Sequence, residues 1–167
     1  YNKLANKKLN SKEYNEAVLL TKKSIDFCET NHIPEDLGNQ TFKLGKIYYN
    51  QRKYDEALKN FHKSVASFDS IKPTCTKILA LHYIGAANTA QGDYKTADIY
   101  YAKAQKLLKE LGVVDSSEIL NYQKAMAFKS NKNFRLAAKT FQKITKTPDN
   151  PSVVKTKIKS YYQLGLI

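Results

Sequence analysis

Cysteine, glycine and proline are all scarce in this chain of 167 residues, which holds two, six and four of them respectively. The two cysteines, Cys28 and Cys75, are too few to form a disulfide framework in a chain of this length, and their spacing does not suggest a metal site. So few glycines and prolines also exclude long flexible linkers. We therefore expect free thiols and a chain without extended unstructured segments.

The sequence also lacks the residue patterns that enzymes and metal proteins usually have. Its three histidines, His32, His62 and His82, do not stand in a metal-ligand or catalytic-triad spacing. There is no His-Glu-x-x-His motif, no phosphate-binding glycine loop and no pair of acids in an apolar setting. No apolar run is long enough to span a bilayer. The sequence thus predicts no catalytic residue, no metal and no cofactor in this segment.

A period of about 40 residues runs through the chain instead. One position of this period holds only small residues, and a position twelve residues later holds only alanine. The first set is Ala5, Gly45, Gly85, Ala125 and Gly165, and the second is Ala17, Ala57, Ala97 and Ala137. Aromatic residues recur three residues before the alanines (Tyr14, Tyr54, Tyr94, Phe134) and, with the exception of Thr21, four residues after them (Phe61, Tyr101, Phe141). A fixed period of this length indicates an array of helical repeats.

Each repeat reads as two helices joined by a short polar turn, at residues 50–53, 91–93 and 130–133. Apolar residues on both sides of these turns are spaced by three and four, which is the spacing of one helical face. A short turn places the two helices antiparallel and in contact. Small residues on both helices allow close approach of the backbones, and the aromatic residues fill the space beside them. Because one hairpin cannot bury its apolar face alone, we expect the hairpins to stack.

The middle repeats resemble tetratricopeptide repeats. The resemblance rests on Leu44, Gly45, Tyr48, Tyr54, Ala57 and Phe61 in one repeat, and on Ile84, Gly85, Gly92, Asp93, Tyr94, Ala97, Tyr101 and Ala104 in the next. It extends over the whole chain but is weaker elsewhere, where Lys124 stands in place of the usual leucine. It implies an all-α fold, a right-handed-type superhelical solenoid of antiparallel helix hairpins with about four repeats and part of a fifth. We predict a single domain over 1–167, with repeats near 1–33, 34–73, 74–114, 115–151 and 152–167.

The resemblance also implies a concave groove lined by the first helix of each repeat. The candidate groove residues are Asn6, Asn39, Phe42, Lys46, Tyr49, Asn50, His82, Thr89, Tyr122, Met126 and Lys129. Amides can bond an extended backbone and aromatic rings can form apolar pockets, so this mixture suits a peptide or protein partner. The alternative is that Phe42 and Tyr122 only pack against the next repeat.

A clamp for a C-terminal carboxylate, which chaperone-binding members of this family use, is not expected here. Such a clamp needs several fixed donors on successive first helices. Asn2, Lys43, Leu79 and Tyr83 occupy four of its positions, and among these only Lys43 could supply a positive charge. A receptor for chaperone tails is therefore disfavoured.

The net charge of +13 is concentrated in the C-terminal third, where residues 119–167 hold ten basic residues and one acid, Asp149. Such a surface can attract an acidic protein, anionic lipid or nucleic acid. Nucleic acid is disfavoured because aromatic residues are not interleaved with these lysines in a regular code. The alternative is a solvated surface. Lysines recur with the period on the expected outer face of the second helices, at Lys23, Lys63, Lys103 and Lys143.

The composition, rich in Lys, Asn and Tyr, and the long period resemble the sensory arrays that precede histidine kinase or DNA-binding output regions in bacterial regulators. This implies an interaction or sensor module of a larger signal-transduction protein. The alternatives are a nucleic-acid-binding helical repeat and a peptide receptor of the quorum-sensing type, with Asn39 and Asn50 as fixed amides.

The repeat register places Tyr1 and Ile167 inside helices, and the last residues do not form a polar end repeat. We therefore expect the parent chain to continue in both directions; the alternative is that another molecule, such as a second copy, covers the ends. The compartment stays open between the cytoplasm and a periplasmic position beside a membrane anchor outside this segment.

Overall fold

The structure is a computed structural model, which describes residues 4–5, 8, 13–69, 71–72, 74–112, 116–149 and 151–167. Every regular element in these residues is an α-helix, which confirms the all-α prediction. The eight helices are α1 (Tyr14–Thr30), α2 (Pro34–Asn50), α3 (Tyr54–Ser67), α4 (Cys75–Gln91), α5 (Tyr94–Glu110), α6 (Ser116–Ser130), α7 (Phe134–Thr145) and α8 (Pro151–Leu164).

The turns from α2 to α3, from α4 to α5 and from α6 to α7 share one backbone geometry. Arg52, Gly92 and Lys132, which hold the same position in successive repeats, adopt positive φ angles of 60°, 87° and 60°. The amide of Lys53 then donates to the carbonyl of Tyr48 at 3.0 Å. This bond across a left-handed residue ends a helix in the Schellman motif. Equivalent bonds of 2.9 Å join Asp93 to Asn88 and Asn133 to Phe128. The turn makes α2 and α3 antiparallel, and likewise α6 and α7.

The chain divides within α4 into two units, residues 1–87 and 88–167. In the first unit α2 packs against both α1 and α3. Gly45 lies so close to Phe61 that a Cβ atom there would be 2.6 Å from the ring, and Gly38 stands in the same relation to Phe68 at 2.5 Å. The hydroxyl of Ser64 donates to the carbonyl of Gly38 at 2.7 Å. The α2–α3 pair is therefore held at a separation that only glycine permits.

The second unit is built around α6, which contacts α5, α7 and α8. Its buried core contains alanines of the repeat columns and the aromatic rings that fill the space beside them. The core residues are Ala97, Tyr101, Ala125, Phe128, Ala137, Phe141 and Ile144. Small and aromatic positions of successive repeats thus meet in one core.

The two cysteines differ in exposure. Cys28 is buried, Cys75 is exposed, and both are free thiols. Burial raises the pKa of the Cys28 thiol, and Asp36 and Glu29 add to the shift.

None of the described helices is both long and apolar enough to cross a bilayer. Within the described part of the chain, no group of three or more acidic, histidine or cysteine side chains could hold a metal ion.

Candidate interaction surface

Five aromatic rings of the first unit form one cluster, here called the aromatic cluster: Phe42 and Tyr49 from α2, Tyr54 and Phe61 from α3, and Tyr83 from α4. Tyr83 lies at its centre, with ring centroids 5.6 Å from Phe42, 5.5 Å from Tyr49 and 5.4 Å from Phe61. Tyr49 also meets Tyr54 edge-on at 5.6 Å. Tilted and edge-to-face contacts at such distances are the favoured geometry of aromatic pairs. The cluster fixes Tyr49 and Tyr83, which are both only half-buried, at the protein surface.

A lysine ammonium group lies over this cluster. The Lys46 Nζ atom is 5.7 Å from the ring centroid of Phe42 and 5.8 Å from that of Tyr83. Cation–π attraction of this kind contributes roughly 0.5–1 kcal/mol at exposed sites. Lys46 is itself half-buried, so its charge is held in one place beside the two tyrosines.

Two amides lie on α2 on either side of Lys46. The hydroxyl of Thr76 donates to Asn39 Oδ1 at 2.7 Å, which leaves the two N–H donors of that amide for another acceptor. Asn50, the last residue of α2, is exposed. The spacings of seven and four residues from Asn39 to Lys46 to Asn50 place all three on one side of the helix. The surface therefore combines amide donors, a positive charge and tyrosine rings.

Burial changes the acidity of both tyrosines. It raises the pKa of Tyr49 to about 12, with Tyr54 and Tyr83 adding smaller contributions. It also raises the pKa of Tyr83. Both hydroxyls are therefore protonated at neutral pH and can donate hydrogen bonds to a ligand.

The raised pKa of Tyr49 predicts a loss of stability in alkali. The folded state holds this proton more tightly than the unfolded chain, whose tyrosines titrate near pH 10. The contribution of Tyr49 to the free energy of unfolding is therefore complete below pH 10 and is lost as the pH rises through about 12. By pH 11 the loss should reach about 1 kcal/mol. Urea unfolding between pH 9 and 11 should show this decline, and Tyr49→Phe should reduce it. The matched control is Tyr161→Phe, at a tyrosine that is 60% exposed; equal slopes for both variants would contradict the prediction.

The candidates from the second unit lie in different surroundings. The ring of Tyr122 packs on Phe141 at 5.6 Å, and Met126 lies against the core. The Lys129 Nζ atom donates to Gln163 Oε1 at 2.8 Å, which joins α6 to α8. All three candidates are half-buried.

Three candidates are buried, namely Phe42 of the aromatic cluster, His82 and Thr89, and one lies outside the described residues. His82 is 4% exposed, and its ring stands 6.3 Å from that of Tyr83. Thr89 is fully buried, and its hydroxyl lies 3.3 Å from the Tyr101 hydroxyl. A ligand therefore cannot reach these two side chains without moving their neighbours. Asn6 belongs to the part of the chain that the structure does not describe.

The structure thus brings five candidates together in the first unit: Asn39, Phe42, Lys46, Tyr49 and Asn50. It adds Tyr83, which the sequence analysis considered only as the occupant of a clamp position and not as a candidate groove residue. The sequence does set Tyr83 apart, because it is the one aromatic residue at a repeat position that otherwise holds long polar side chains. They are Lys3, Lys43, Gln123 and Gln163.

Known proteins agree with this architecture. Residues 39–110 match the tetratricopeptide repeat family. Residues 39–110 therefore carry tetratricopeptide repeats. The fold of the chain is similar to that of a Podosopora anserina protein assigned as a kinesin light chain with nearly identical TPR-like repeats, at 16% identity and a TM-score of 0.70, covering 98% of this chain and 85% of that one. A form of that protein with one substituted residue gives 16% identity and a TM-score of 0.71, with 98% and 84% covered.

The fold of the chain is also similar to that of the apo form of RapI, at 14% identity and a TM-score of 0.66, covering 98% of this chain and 67% of that one. At these identities the likeness concerns the fold. No curated protein matches the sequence. Tetratricopeptide repeats are in general non-enzymatic interaction modules, which supports a protein–protein interaction role for residues 39–110.

The structure of the array explains why lysine replaces leucine at position 124. The Lys124 Nζ atom lies 4.9 Å from the ring centroid of Tyr101 and 5.6 Å from that of Phe128, and it donates to Asp98 Oδ1. The long stem thus covers the rings as leucine would, while the charge reaches the surface.

Most of the basic side chains in the C-terminal third of the chain are exposed: Lys132, Arg135, Lys139, Lys143, Lys146, Lys155 and Lys159. Lys124, Lys129 and Lys157 have partners in Asp98, Gln163 and Asp149. The lysines at the repeat period on the second helices, Lys23, Lys63, Lys103 and Lys143, are all exposed as well. This third of the chain therefore presents a positively charged surface to solvent.

Proposed function

We propose that the array binds an extended peptide segment of a partner protein at the surface formed by α2 and α4. The observation that carries the proposal is the placement of Lys46 over the rings of Phe42 and Tyr83. An ammonium group held over aromatic rings is already partly desolvated, so a carboxylate can approach it at a lower desolvation cost.

The neighbouring groups suit the rest of such a ligand. The amides of Asn39 and Asn50 stand on either side of Lys46 and can bond the carbonyl and amide groups of an extended backbone. The half-buried rings of Tyr49 and Tyr83 offer an apolar wall for one side chain, and their protonated hydroxyls can donate hydrogen bonds. The preferred ligand is therefore a segment with an acidic residue close to an apolar or aromatic one.

Selection of peptides and measurement of their affinity test this proposal. Short random peptides are displayed on phage and selected against the chain, and an enriched peptide is then titrated by calorimetry. We expect the enriched sequences to combine an acidic residue with an apolar one. Because a hydrogen bond to a charged group contributes about 1.5–3 kcal/mol, Lys46→Gln should weaken binding at least about tenfold. Asn50→Ala should weaken it about fivefold, as expected for a neutral bond.

The matched control is Lys103→Gln. Lys103 also lies over a tyrosine, with its Nζ atom 4.8 Å from the Tyr100 ring centroid, but it is an exposed residue of α5. We expect this variant to bind the selected peptide as the unchanged chain does. Equal affinities of the Lys46 and Lys103 variants would contradict the proposal. A steep linear fall of log affinity for nucleic acid with log salt would favour the nucleic-acid alternative instead.

We further propose that the module serves a bacterial signal-transduction protein, in which ligand binding biases a histidine kinase or DNA-binding output region. This rests on the resemblance in composition and period described above, and on the nearest-neighbour contacts of repeat arrays, through which small rotations add up. A quorum-sensing-type peptide receptor is a special case, supported by the two amides on α2. The coding sequence on both sides of this segment is the test, and a parent protein without an output region would contradict the signalling role.

A further inference from the structure

One side of α7 carries a row of basic side chains, here called the α7 row. Its members are all exposed: Arg135, Lys139, Lys143 and Lys146, the residue that follows the helix. Their spacings of four, four and three residues place them on the same side of the helix. The opposite side of α7 is buried in the core of the second unit. Its buried residues are Ala137, Phe141 and Ile144.

The repeat leaves this side of its second helices in solvent. The residues at the same repeat positions are exposed in α1, in α3 and in α5, and each of these helices is followed by further helices of the chain. They are Asn15, Leu19, Lys23 and Asp26 in α1, Asp55, Lys59, Lys63 and Ala66 in α3, and Lys95, Ile99, Lys103 and Lys106 in α5. Exposure of the α7 row therefore follows from the repeat itself and not from what comes after α8.

The charge of the row, in contrast, is specific to α7. At the same four positions α5 has three basic residues, α3 has two and an acid, and α1 has one and an acid. Acids outside these positions reduce the charge further, since Lys106 pairs with Glu110 and Lys63 with Glu29. Among the described residues no acid pairs with a member of the α7 row, and residues 119–148 contain no acid. The repeat pattern thus does not account for this concentration of charge.

The row also opposes the stability of its own helix. Like charges four residues apart repel, as Arg135 and Lys139 do, and again Lys139 and Lys143. Arg135 lies in the first turn, near the positive end of the helix dipole, where a positive charge is unfavourable. At the same positions α3 has Asp55 and Lys59, which attract each other and suit the dipole. A negatively charged ligand on the row would relieve both unfavourable interactions.

The row is one side chain wide, which favours a linear ligand. The other exposed residues of α7, Phe134 and Gln142, are neutral. The helix axis rises by about 16 Å from Arg135 to Lys146, and members four residues apart are separated by about 6 Å along it. An extended chain places every second side chain on one side, at intervals of about 6.6 Å. Acidic residues at alternate positions of an extended segment therefore match the spacing of the row.

We propose that the α7 row binds an extended segment of a partner protein that has acidic residues at alternate positions. Nucleic acid fits less well, because a single strand needs a series of rings on which its bases stack, and Phe134 is the one exposed ring of α7. An anionic membrane also fits less well, because the apolar side of α7 lies in the core and cannot enter the headgroup region. The row belongs to the second unit and is distinct from the peptide surface on α2 and α4.

Two peptides of equal length provide the probe. One has five Glu-Ser repeats and a neutral fluorophore, and the other has glutamine in place of every glutamate. Each is titrated with the whole chain by fluorescence anisotropy at low salt. We expect the glutamate peptide to bind at least about tenfold more tightly, because it pairs with the row. This advantage should shrink near 0.5 M salt, where exposed charges are screened.

Matched double variants locate the binding. Lys139→Gln with Lys143→Gln should weaken binding of the glutamate peptide at least about fivefold, because two ion pairs are lost. The control is Lys59→Gln with Lys23→Gln, at the same repeat positions in α3 and α1, which gives the same net charge. We expect the control to bind within about twofold of the unchanged chain. All four positions are exposed and glutamine is nearly as good a helix former as lysine, so circular dichroism should show both variants folded.

Equal affinities of the two double variants, or of the two peptides at low salt, would overturn the inference, because general attraction to a basic protein would then suffice. An oligothymidylate of six nucleotides, which also carries five negative charges, and phosphatidylserine vesicles test the other ligand classes. If the row variant loses binding of one of these but keeps the glutamate peptide, the row belongs to nucleic acid or membrane and the inference is wrong. Lys46→Gln should leave binding of the glutamate peptide unchanged, so this proposal and the peptide surface fail separately.

Discussion

Replacing Phe61 with alanine is expected to lower the free energy of unfolding by about 3–5 kcal/mol. The Phe61 ring is fully buried and packs against α2 and α4. Its centroid lies 5.8 Å from that of Phe42 and 5.4 Å from that of Tyr83, and the backbone of Gly45 lies directly beside it. Its removal leaves a cavity that two helices of fixed separation cannot close. Since domains are usually stable by about 5–15 kcal/mol, this loss is a large share of the total.

Urea unfolding followed by circular dichroism measures the effect. Phe27→Ala is the matched control, because that phenylalanine of α1 is 59% exposed, and we expect a change within about 0.5 kcal/mol. Similar costs at the two positions would mean that the ring of Phe61 does not hold the α2–α3 hairpin together.

The converse change, Gly45→Leu, should cost about 3 kcal/mol. A Cβ atom at this position would lie 2.6 Å from two carbons of the Phe61 ring, and a leucine adds three further carbons in a space that is already filled. Ala66→Leu, at an exposed position of α3, is the control and should be close to neutral. The same unfolding measurement compares the two variants.

The two core substitutions should also compensate each other. In the Phe61→Ala background the space beside position 45 is open, so Gly45→Leu should cost far less than it does in the unchanged chain. The coupling energy from this double-mutant cycle should lie in the range of about 0.5–3 kcal/mol found for residues in contact. Simple additivity would show that residues 45 and 61 do not share one space.

The fold could be predicted from the sequence because the residues that determine it are local and recur in every repeat. Gly45, Ala57 and Phe61 recur in kind from repeat to repeat, and the short turns bring their helices into contact whatever lies elsewhere in the chain. The left-handed turn residue was less visible. Only Gly92 signals it by residue type, whereas Arg52 and Lys132 adopt the same conformation without glycine.

The candidate surface was only partly readable, because residue position on a helix shows which side a residue faces but not how far a neighbouring side chain reaches over it. His82 and Thr89 occupy first-helix positions that the family resemblance assigns to the groove, and both are buried. Tyr83 was missed because its role depends on rings from α2 and α3. The role of Lys124 also depends on a distant residue, since its partner Asp98 lies 26 residues earlier in the chain.

The contrast between the two thiols provides a spectroscopic handle without any mutation. Cys75 is exposed at the first position of α4, next to the threonine that bonds Asn39, while Cys28 is buried and its raised pKa keeps it in the unreactive protonated form. A maleimide dye at neutral pH therefore attaches first to Cys75. The native chain can thus report ligand binding beside Asn39 through a single environment-sensitive label.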